Sequence, residues 1–303
     1  MTVMSDAIPY WSGGIGSQFY QSVSLGREPE ILPVIIHGMI NAADLMMGII
    51  EYLLHPALHI QQINILATGT HQHITILQLA AGFGITIKIA DEFLSWGVDV
   101  ISGGNHSWDK KEIYEYMNNS DRILRPANYP EGVSGKGYTI LEDKKGNKIA
   151  LISLQGRVFM SAVDCPFRTA KKLIDEISKI TKNIIVDFHA EATSEKIALG
   201  KYLDGDISLF YGTHTHVQTA DERILNNGTG YISDVGMTGS QNGVIGTNLE
   251  TIINKFLTSL PQKFEVAEGD EQLCGIEVEI DEKTGKCQKI ERIKWSENEG
   301  FRS

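Results

Sequence analysis

The segment IIVDFHAEATSEKIALGKY, residues 184–202, contains an apolar run, a polar loop and a segment with helical periodicity. The apolar run at 184–188 predicts a buried strand, and residues 194–202 carry apolar side chains at helical spacing. Between them lies a short polar loop that begins at His189. A strand, a polar loop and a helix in this order form the repeating unit of layered α/β folds.

The same order of elements recurs downstream of residue 86. Short apolar runs predict strands, and segments with an apolar stripe at helical spacing predict helices between them. The strands are predicted at 98–101, 149–152, 207–210 and 231–233, the helices at 86–94, 109–117, 169–180 and 249–257, and a hairpin at 275–293. Thr86 is placed to cap the first helix and Gly97 to end it. This alternation predicts an α/β fold with a largely buried sheet arrangement.

Composition places the chain among ordinary globular proteins. Of its 303 residues 42% are hydrophobic and 21% are charged, which is enough for a sizeable core, and one large α/β domain is the favoured interpretation. The net charge of −11 argues against a nucleic-acid polymer as partner, because such surfaces need clustered Lys and Arg. The three cysteines are widely spaced and suggest neither a disulfide framework nor a zinc knuckle, so we expect a cytoplasmic protein.

No membrane segment or signal peptide is expected. The most apolar stretch, residues 31–54, is repeatedly interrupted and falls short of the roughly 20 apolar residues that a membrane span requires. The interrupting residues are Pro33, His37, Asn41, Asp44 and Glu51. We interpret the stretch as buried core.

Three polar clusters directly follow three of the predicted strands. They are Gly103-Gly104-Asn105-His106, His189-Ala190-Glu191 and Gly212-Thr213-His214-Thr215-His216. Open α/β sheets assemble their functional sites from loops at the carboxyl ends of strands. Taken singly, a histidine is more often a hydrogen-bonded structural residue, and Gly-Asn-His is often only a turn.

The His214-x-His216 pair is the stronger signal. In an extended backbone, residues two apart face the same way, so both imidazoles could point to one place. Imidazole is a good ligand for Zn, Fe or Mn, and the side-chain oxygen of Asn105 adds a harder ligand. Together the three clusters favour a metal site.

These clusters resemble the latter half of the calcineurin-like metallophosphoesterase signature. The similarity is closer still to its bacterial YmdB-type branch, through segments that run in the same order between about Ala80 and Ile293. These segments are GFGIT (82–86), NHSWDKK (105–111), RPANYP (125–130), LQGRVFM (154–160), CPFRT (165–169), DFHAEATSEK (187–196) and DVGMTG (234–239). The resemblance implies a four-layer α/β sandwich of two mixed β-sheets flanked by helices, two adjacent metal ions (Fe, Mn or Zn), and hydrolysis of phosphodiesters, with cyclic nucleotides as the substrate class.

The resemblance also implies roles for individual residues. By position in the motifs, Asn105, His189 and His214 would bind one metal ion and His216 the other, and His106 resembles the general acid of the family. Two cations would neutralise phosphate oxygens and activate a hydroxide, and His106 would protonate the departing ribose oxygen. The alternative for His106 is a hydrogen-bonding role beside the ligands. The implied partner is a small phosphodiester, and homo-oligomerisation is left open.

Residues 1–79 depart from the family, and we treat them as a divergent segment before a metallophosphoesterase domain at 80–303. The family requires an Asp after its first strand and a Glu-Asn pair after its second. Gln78-Leu79 stands where the pair is expected, and the segment nearest to the first motif, around His37, has no carboxylate. His71, Gln72 and His73 could be substitute ligands, although such polar runs are more often solvated loops.

Composition shifts in the same part of the chain. Residues 1–87 contain six of the chain's 65 Asp, Glu, Lys and Arg residues and no lysine. One hypothesis is a shifted reading frame or a misjoined gene upstream of Ala80; sequencing the gene tests it. Two functions therefore stand side by side. One is an active metal-dependent phosphodiesterase, and the other is a catalytically impaired relic or regulatory binding protein with a partial metal site.

Overall fold

The computed structural model describes residues 64–68, 75–78, 84–142, 146–298 and 300–302. The predictions for the apolar stretch at 31–54, for His37, for the His71–His73 run and for Leu79 lie outside these residues. Within the described ranges no helix is long and apolar enough to cross a membrane.

The described strands and helices alternate as the sequence predicts. In chain order the strands are β1 (Asn64–Thr68), β2 (Thr75–Gln78), β3 (Val100–Ser102), β4 (Ile123–Leu124), β5 (Tyr138–Glu142), β6 (Lys148–Gln155), β7 (Asn183–His189), β8 (Leu209–Thr213), β9 (Arg223–Ile224), β10 (Gly230–Ile232), β11 (Gly239–Ser240), β12 (Glu271–Ile280), β13 (Cys287–Ser296) and β14 (Gly300–Arg302). The helices are α1 (Ile87–Ser95), α2 (Ile113–Asn119), α3 (Pro166–Ile177), α4 (Thr193–Tyr202) and α5 (Leu249–Thr258).

In the part of the chain that the structure describes, these strands form two mixed sheets. One has the order β14-β13-β12-β1-β2-β3-β4, with β11 also paired to β12, and the other has the order β5-β6-β7-β8-β10-β9. In the second sheet β6, β7, β8 and β10 are parallel to one another, so their carboxyl ends lie at one edge. In the first sheet β2, β3 and β4 are parallel, whereas β1 is antiparallel to β2 and parallel to β12.

Three apolar clusters define four layers. Val100 of β3 and Ile185 of β7 belong to a cluster that lies between the two sheets. Phe93 of α1 packs with Ile101 on the outer face of the first sheet, and Leu199 of α4 packs with neighbours on the outer face of the second. The predicted sandwich of two mixed sheets flanked by helices is therefore confirmed.

Local signals explain where the helices begin and end. The hydroxyl of Thr86 accepts a hydrogen bond from the backbone N–H of Ile89 at 3.2 Å, and Gly97 follows α1 with a φ of 98°, as predicted. Helix α2 begins at Ile113, four residues later than predicted, and Asp109 instead contacts the ring of His106 in the preceding turns. Helix α3 begins at Pro166, three residues earlier than predicted, because proline suits the first helical turn.

Candidate active site

Four predicted site residues lie on three loops at the carboxyl ends of parallel strands. Asn105 follows β3, His189 ends β7, and His214 and His216 follow β8. The register pairs His189 with Thr213, so the loops after β7 and β8 start side by side. The loop after β3 comes from the other sheet and reaches the same place, since Asn105 contacts His189.

Three side chains converge on one point. The Oδ1 atom of Asn105 lies 2.8 Å from Nε2 of His189, and Nδ1 of His214 lies 3.1 Å from the same nitrogen. The two imidazole rings meet edge to face, with centroids 4.7 Å apart. Ligand atoms held about 2.1 Å from one octahedral ion lie roughly 3 Å apart, so the spacing suits a shared cation.

The opposite ring atoms have partners that fix the protonation of both rings. Asp187 accepts a hydrogen bond from the Thr213 hydroxyl at 3.0 Å, so the Thr213 oxygen accepts the Nδ1–H of His189 at 3.2 Å. The Glu191 carboxylate lies 3.0 Å from Nε2 of His214 and accepts a hydrogen bond from its N–H. The nitrogens that face each other therefore present lone pairs, beside an oxygen that can only accept. Lone pairs that face one another need a proton or a cation between them. In metal sites, a ligand histidine is held in the same way by a partner on its other ring nitrogen.

His216 has the same kind of support. Its Nδ1 atom lies 2.9 Å from the backbone oxygen of Ile245, which can only accept, so Nε2 carries the lone pair. His214 and His216 have φ angles of 102° and 67°. The expectation that an extended backbone turns both rings the same way is therefore wrong; left-handed backbone, which costs roughly 1–2 kcal/mol for each non-glycine residue, sets their directions.

Burial favours the neutral form of the histidines. The side chain of His189 is 1% exposed, and burial lowers its pKa well below the ordinary value, assisted by the nearby charges of His214, Lys196, His216 and His106. Burial also lowers the pKa of His214 and of His216. Neutral imidazole is the form that binds metal ions.

Glycine at position 104 leaves room for the buried ring of His189. A Cβ atom on Gly104 would lie 2.5 Å from three atoms of that ring. The φ of Gly104 is not in the left-handed region, so space and not backbone freedom requires glycine here. The Gly-Gly-Asn-His cluster is therefore more than a turn.

His106 is oriented by Asp109. Its Nδ1 atom lies 2.8 Å from Oδ2 of Asp109, and because a carboxylate accepts, Nδ1 donates. Nε2 is left on the other side of the ring. Both side chains are about two-fifths exposed, so this ring can meet a molecule from solvent.

Sequence reasoning missed the residues that support the ligands. Glu191 lies in the polar cluster that begins at His189, but only the structure shows that its carboxylate contacts His214. Lys196 and Asp234 are each 1% exposed and form an ion pair of 2.7 Å beneath the loops. Asp187 stands inside an apolar strand, and a charged residue there was the available signal that a polar network lies below the site.

The donor set fits one cation more completely than two. Asn105, His189 and His214 supply an amide oxygen and two imidazole nitrogens to one point. Among the described residues no three His, Cys, Asp or Glu side chains form a metal-binding group, since the third donor of this set is an amide. For a second ion the described residues offer His216 from the predicted set, without the family's two carboxylates.

A family model and a relative of known name match most of this chain. The sequence model of the YmdB-like protein family matches residues 62–293. A 2',3'-cyclic-nucleotide 2'-phosphodiesterase of Bacillus subtilis (strain 168) is 51% identical over 231 residues, which cover 75% of this chain and 87% of the relative.

Two solved structures have the same fold. A hypothetical protein from Thermus thermophilus superposes with a TM-score of 0.66 and 41% identity, over 70% of this chain and 82% of that one. A novel phosphatase from Mycoplasma pneumoniae gives a TM-score of 0.66 and 36% identity, over 70% of this chain and 77% of that one.

Proposed function

This chain belongs to the YmdB-like protein family, and from that membership we propose that it is a metal-dependent phosphodiesterase that hydrolyses cyclic nucleotides. Relatives that carry the names phosphodiesterase and phosphatase support a phosphoric diester hydrolase. The B. subtilis relative favours a cyclic nucleotide as the small-molecule substrate. We also propose a cytoplasmic location, with neither a nucleic-acid polymer nor a membrane as partner. Homo-oligomerisation is left open.

One observation carries the metal dependence. Oδ1 of Asn105 and Nδ1 of His214 each lie within 3.1 Å of Nε2 of His189, and each imidazole has its other ring nitrogen hydrogen-bonded to an oxygen. In our proposal Asn105, His189 and His214 hold one Fe, Mn or Zn ion, and His216 contributes to a second. Metal ions bound there would neutralise phosphate oxygens and lower the pKa of bound water.

The chain's own residues supply the remaining steps. The Nδ1–H of His106 is donated to Asp109, which fixes the ring and leaves Nε2 to carry a proton toward a leaving ribose oxygen. Asn105 and His106 are adjacent on one loop, and in our proposal His106 meets the phosphate that the ligands would hold. We expect a general acid in this position to contribute about 10²–10⁴-fold to the rate.

The end of β2 favours a second candidate, a catalytically impaired binding protein. Gln78 pairs with Ser102 at the end of β3, so a neutral glutamine stands at the strand end where the family carries the Glu of its Glu-Asn pair. In this alternative the chain keeps one metal ion and has little or no turnover.

Metal content and turnover of the purified protein separate the two candidates. Bound Mn, Fe and Zn are measured per chain, and hydrolysis of a 2',3'-cyclic nucleotide and of a chromogenic phosphodiester is assayed. Turnover that depends on added metal and is lost in His216→Ala, but not in the surface control Lys171→Ala, supports the phosphodiesterase. One metal ion without turnover supports the impaired protein, and no bound metal contradicts both.

A further inference from the structure

A buried ion pair lies beneath the loop that carries His214 and His216. Nζ of Lys196 lies 2.7 Å from Oδ2 of Asp234, and both side chains are 1% exposed. The pair takes no part in the steps above, because neither side chain belongs to the converging donors. A lysine and an aspartate that are this deeply buried need partners on all sides, and the partners show what the pair holds.

Asp234 holds Thr215, the residue between the two histidines, by hydrogen bonds. Its Oδ2 atom accepts the backbone N–H of Thr215 at 3.0 Å and the Thr215 hydroxyl at 2.7 Å, in addition to the ammonium of Lys196. Its Oδ1 atom accepts the backbone N–H of Gly236 at 2.9 Å. Oδ2 therefore holds the loop of Thr215, and Oδ1 holds the segment of Asp234 itself.

These hydrogen bonds hold a segment of strained backbone. His214 and His216 flank Thr215 and have φ angles of 102° and 67°, which non-glycine residues adopt only when their surroundings hold them there. If Thr215 were released, both flanking residues could relax toward ordinary backbone and carry their rings away from the converging point.

Lys196 links this loop to the loop of His189. It lies in α4, which begins four residues after His189. Its aliphatic stem passes so close to β8 that a Cβ atom on Gly212 would lie 2.9 Å from its Cδ atom. The ion pair thus joins the segments after β7, β8 and β10.

We propose that Lys196 and Asp234 are positioning residues that hold His214 and His216 in the left-handed conformation in which their rings can bind metal. This inference rests on the proposed function, because it assigns the two histidines to a metal site. Neither residue touches metal or substrate in this account. A purely structural ion pair would affect stability and leave the affinity of the folded protein for metal unchanged.

Titration of the metal-free full chain with Mn²⁺ tests the proposal. In Asp234→Asn, an NH₂ group replaces one carboxylate oxygen, and at either position it faces a hydrogen-bond donor. The hydrogen bonding that holds Thr215 is therefore weakened. We expect Mn²⁺ to bind about 10–100-fold more weakly, the usual loss when the residues that orient ligands are changed. Circular dichroism checks that the variant is folded at the temperature of the titration.

The matched control is Asp204→Asn. Asp204 also holds backbone N–H groups, those of Asn227 and Thr229, but it does so next to the amino end of β10. Its Mn²⁺ affinity should stay within about twofold of the unmodified protein, because this carboxylate contacts none of the site loops in the described residues. A folded Asp234→Asn variant with the same affinity as this control overturns the proposal.

Two further measurements cover the remaining outcomes. If Asp234→Asn does not fold, Thr215→Val removes only the hydroxyl bond, and a loss of Mn²⁺ affinity of at least about threefold supports the proposal while no loss overturns it. If the unmodified chain binds no Mn²⁺, the proposed function fails, and ¹⁵N spectra of the histidine rings still decide. The rings of His214 and His216 should each show one tautomer in the unmodified chain and a mixture in Asp234→Asn or Thr215→Val; unchanged spectra overturn the inference.

Discussion

The loops after β3, β7 and β8 contrast with the strand pair β1–β2 in how they relate to the site. Each candidate ligand histidine of the first region has its second ring nitrogen held, by Thr213, Glu191 or Ile245. In the second region β2 ends beside β3, since Gln78 pairs with Ser102, but β1 runs the other way. The end of β2 therefore lies beside the loop of Asn105, but it carries Gln78 where the family has Glu, whereas the histidines of the first region have supported rings.

The largest effect is expected from Gly104→Ala, which attacks the first region. The added methyl group would lie 2.5 Å from the His189 ring and displace it from Asn105. We expect Mn²⁺ affinity to fall by at least about 100-fold, the upper end of losses from misoriented ligands. Isothermal titration calorimetry measures it.

Gly132→Ala is the control for this change. Nothing lies within 4 Å of a Cβ atom at Gly132, although its φ is 84°, so alanine there tests the general cost of losing a glycine. If Gly104→Ala binds Mn²⁺ as tightly as Gly132→Ala, the contact between Gly104 and His189 has no role in the site.

The second prediction restores the missing ligand pair at the end of β2. Replacing Gln78 and Leu79 by Glu and Asn restores the pair that the family carries after its second strand. Because Gln78 pairs with Ser102, this strand end lies beside the loop of Asn105, and we expect bound Mn to rise toward about two ions per chain, with faster turnover. Metal analysis after gel filtration measures the count; an unchanged count would mean that the missing carboxylates do not limit the second ion.

The third prediction concerns the partner of His214. Glu191→Ala removes the carboxylate on Nε2, so the ring can take either tautomer, and we expect about tenfold weaker Mn²⁺ binding. Glu176→Ala, at an exposed position of α3, is the control. Equal affinities in the two variants would show that Glu191 does not orient the ring.

The smallest effect lies outside both regions, at Glu271 of β12. Burial raises its pKa to about 7, and the charges of Glu297, Asp270 and Glu268 add to the shift. The folded state therefore binds this proton more tightly than the unfolded state, so the stability it contributes is present below about pH 4.5 and is lost as pH rises through about 7.

Glu271→Gln should accordingly be more stable than the unmodified chain at pH 8 and should reduce the loss of stability between pH 5 and pH 8. The side chain is only half-buried, so solvent screening keeps the expected gain within about 1 kcal/mol. Urea unfolding at the two pH values measures it. A variant that is less stable at pH 8 would contradict the raised pKa.

Much of the fold was predictable because its signals are local. The apolar run at 184–188 and the cap at Thr86 depend on neighbours in sequence, and both led to elements that the structure contains. The convergence of Asn105 and His189, 84 positions apart, was predicted from their places after strands and from the family resemblance, and the structure brings them to 2.8 Å. Their roles as metal ligands stay predictions.

The support of the site could not be predicted in the same way. The left-handed backbone of His214 lies beside a contact between Thr215 and Asp234, which are 19 residues apart and share no sequence pattern. The direction of β1 is set by pairing with β12 near the end of the chain, which no local signal encodes. The division of the chain at residue 79 also stays a prediction, and the family match begins at residue 62.

Anomalous diffraction from crystals soaked with Mn²⁺ or Zn²⁺ would locate the proposed metal ion. We expect an ion about 2.0–2.3 Å from Oδ1 of Asn105, Nε2 of His189 and Nδ1 of His214 together. An ion bound elsewhere, or a proton shared between these atoms with no ion at saturating metal, would contradict this expectation.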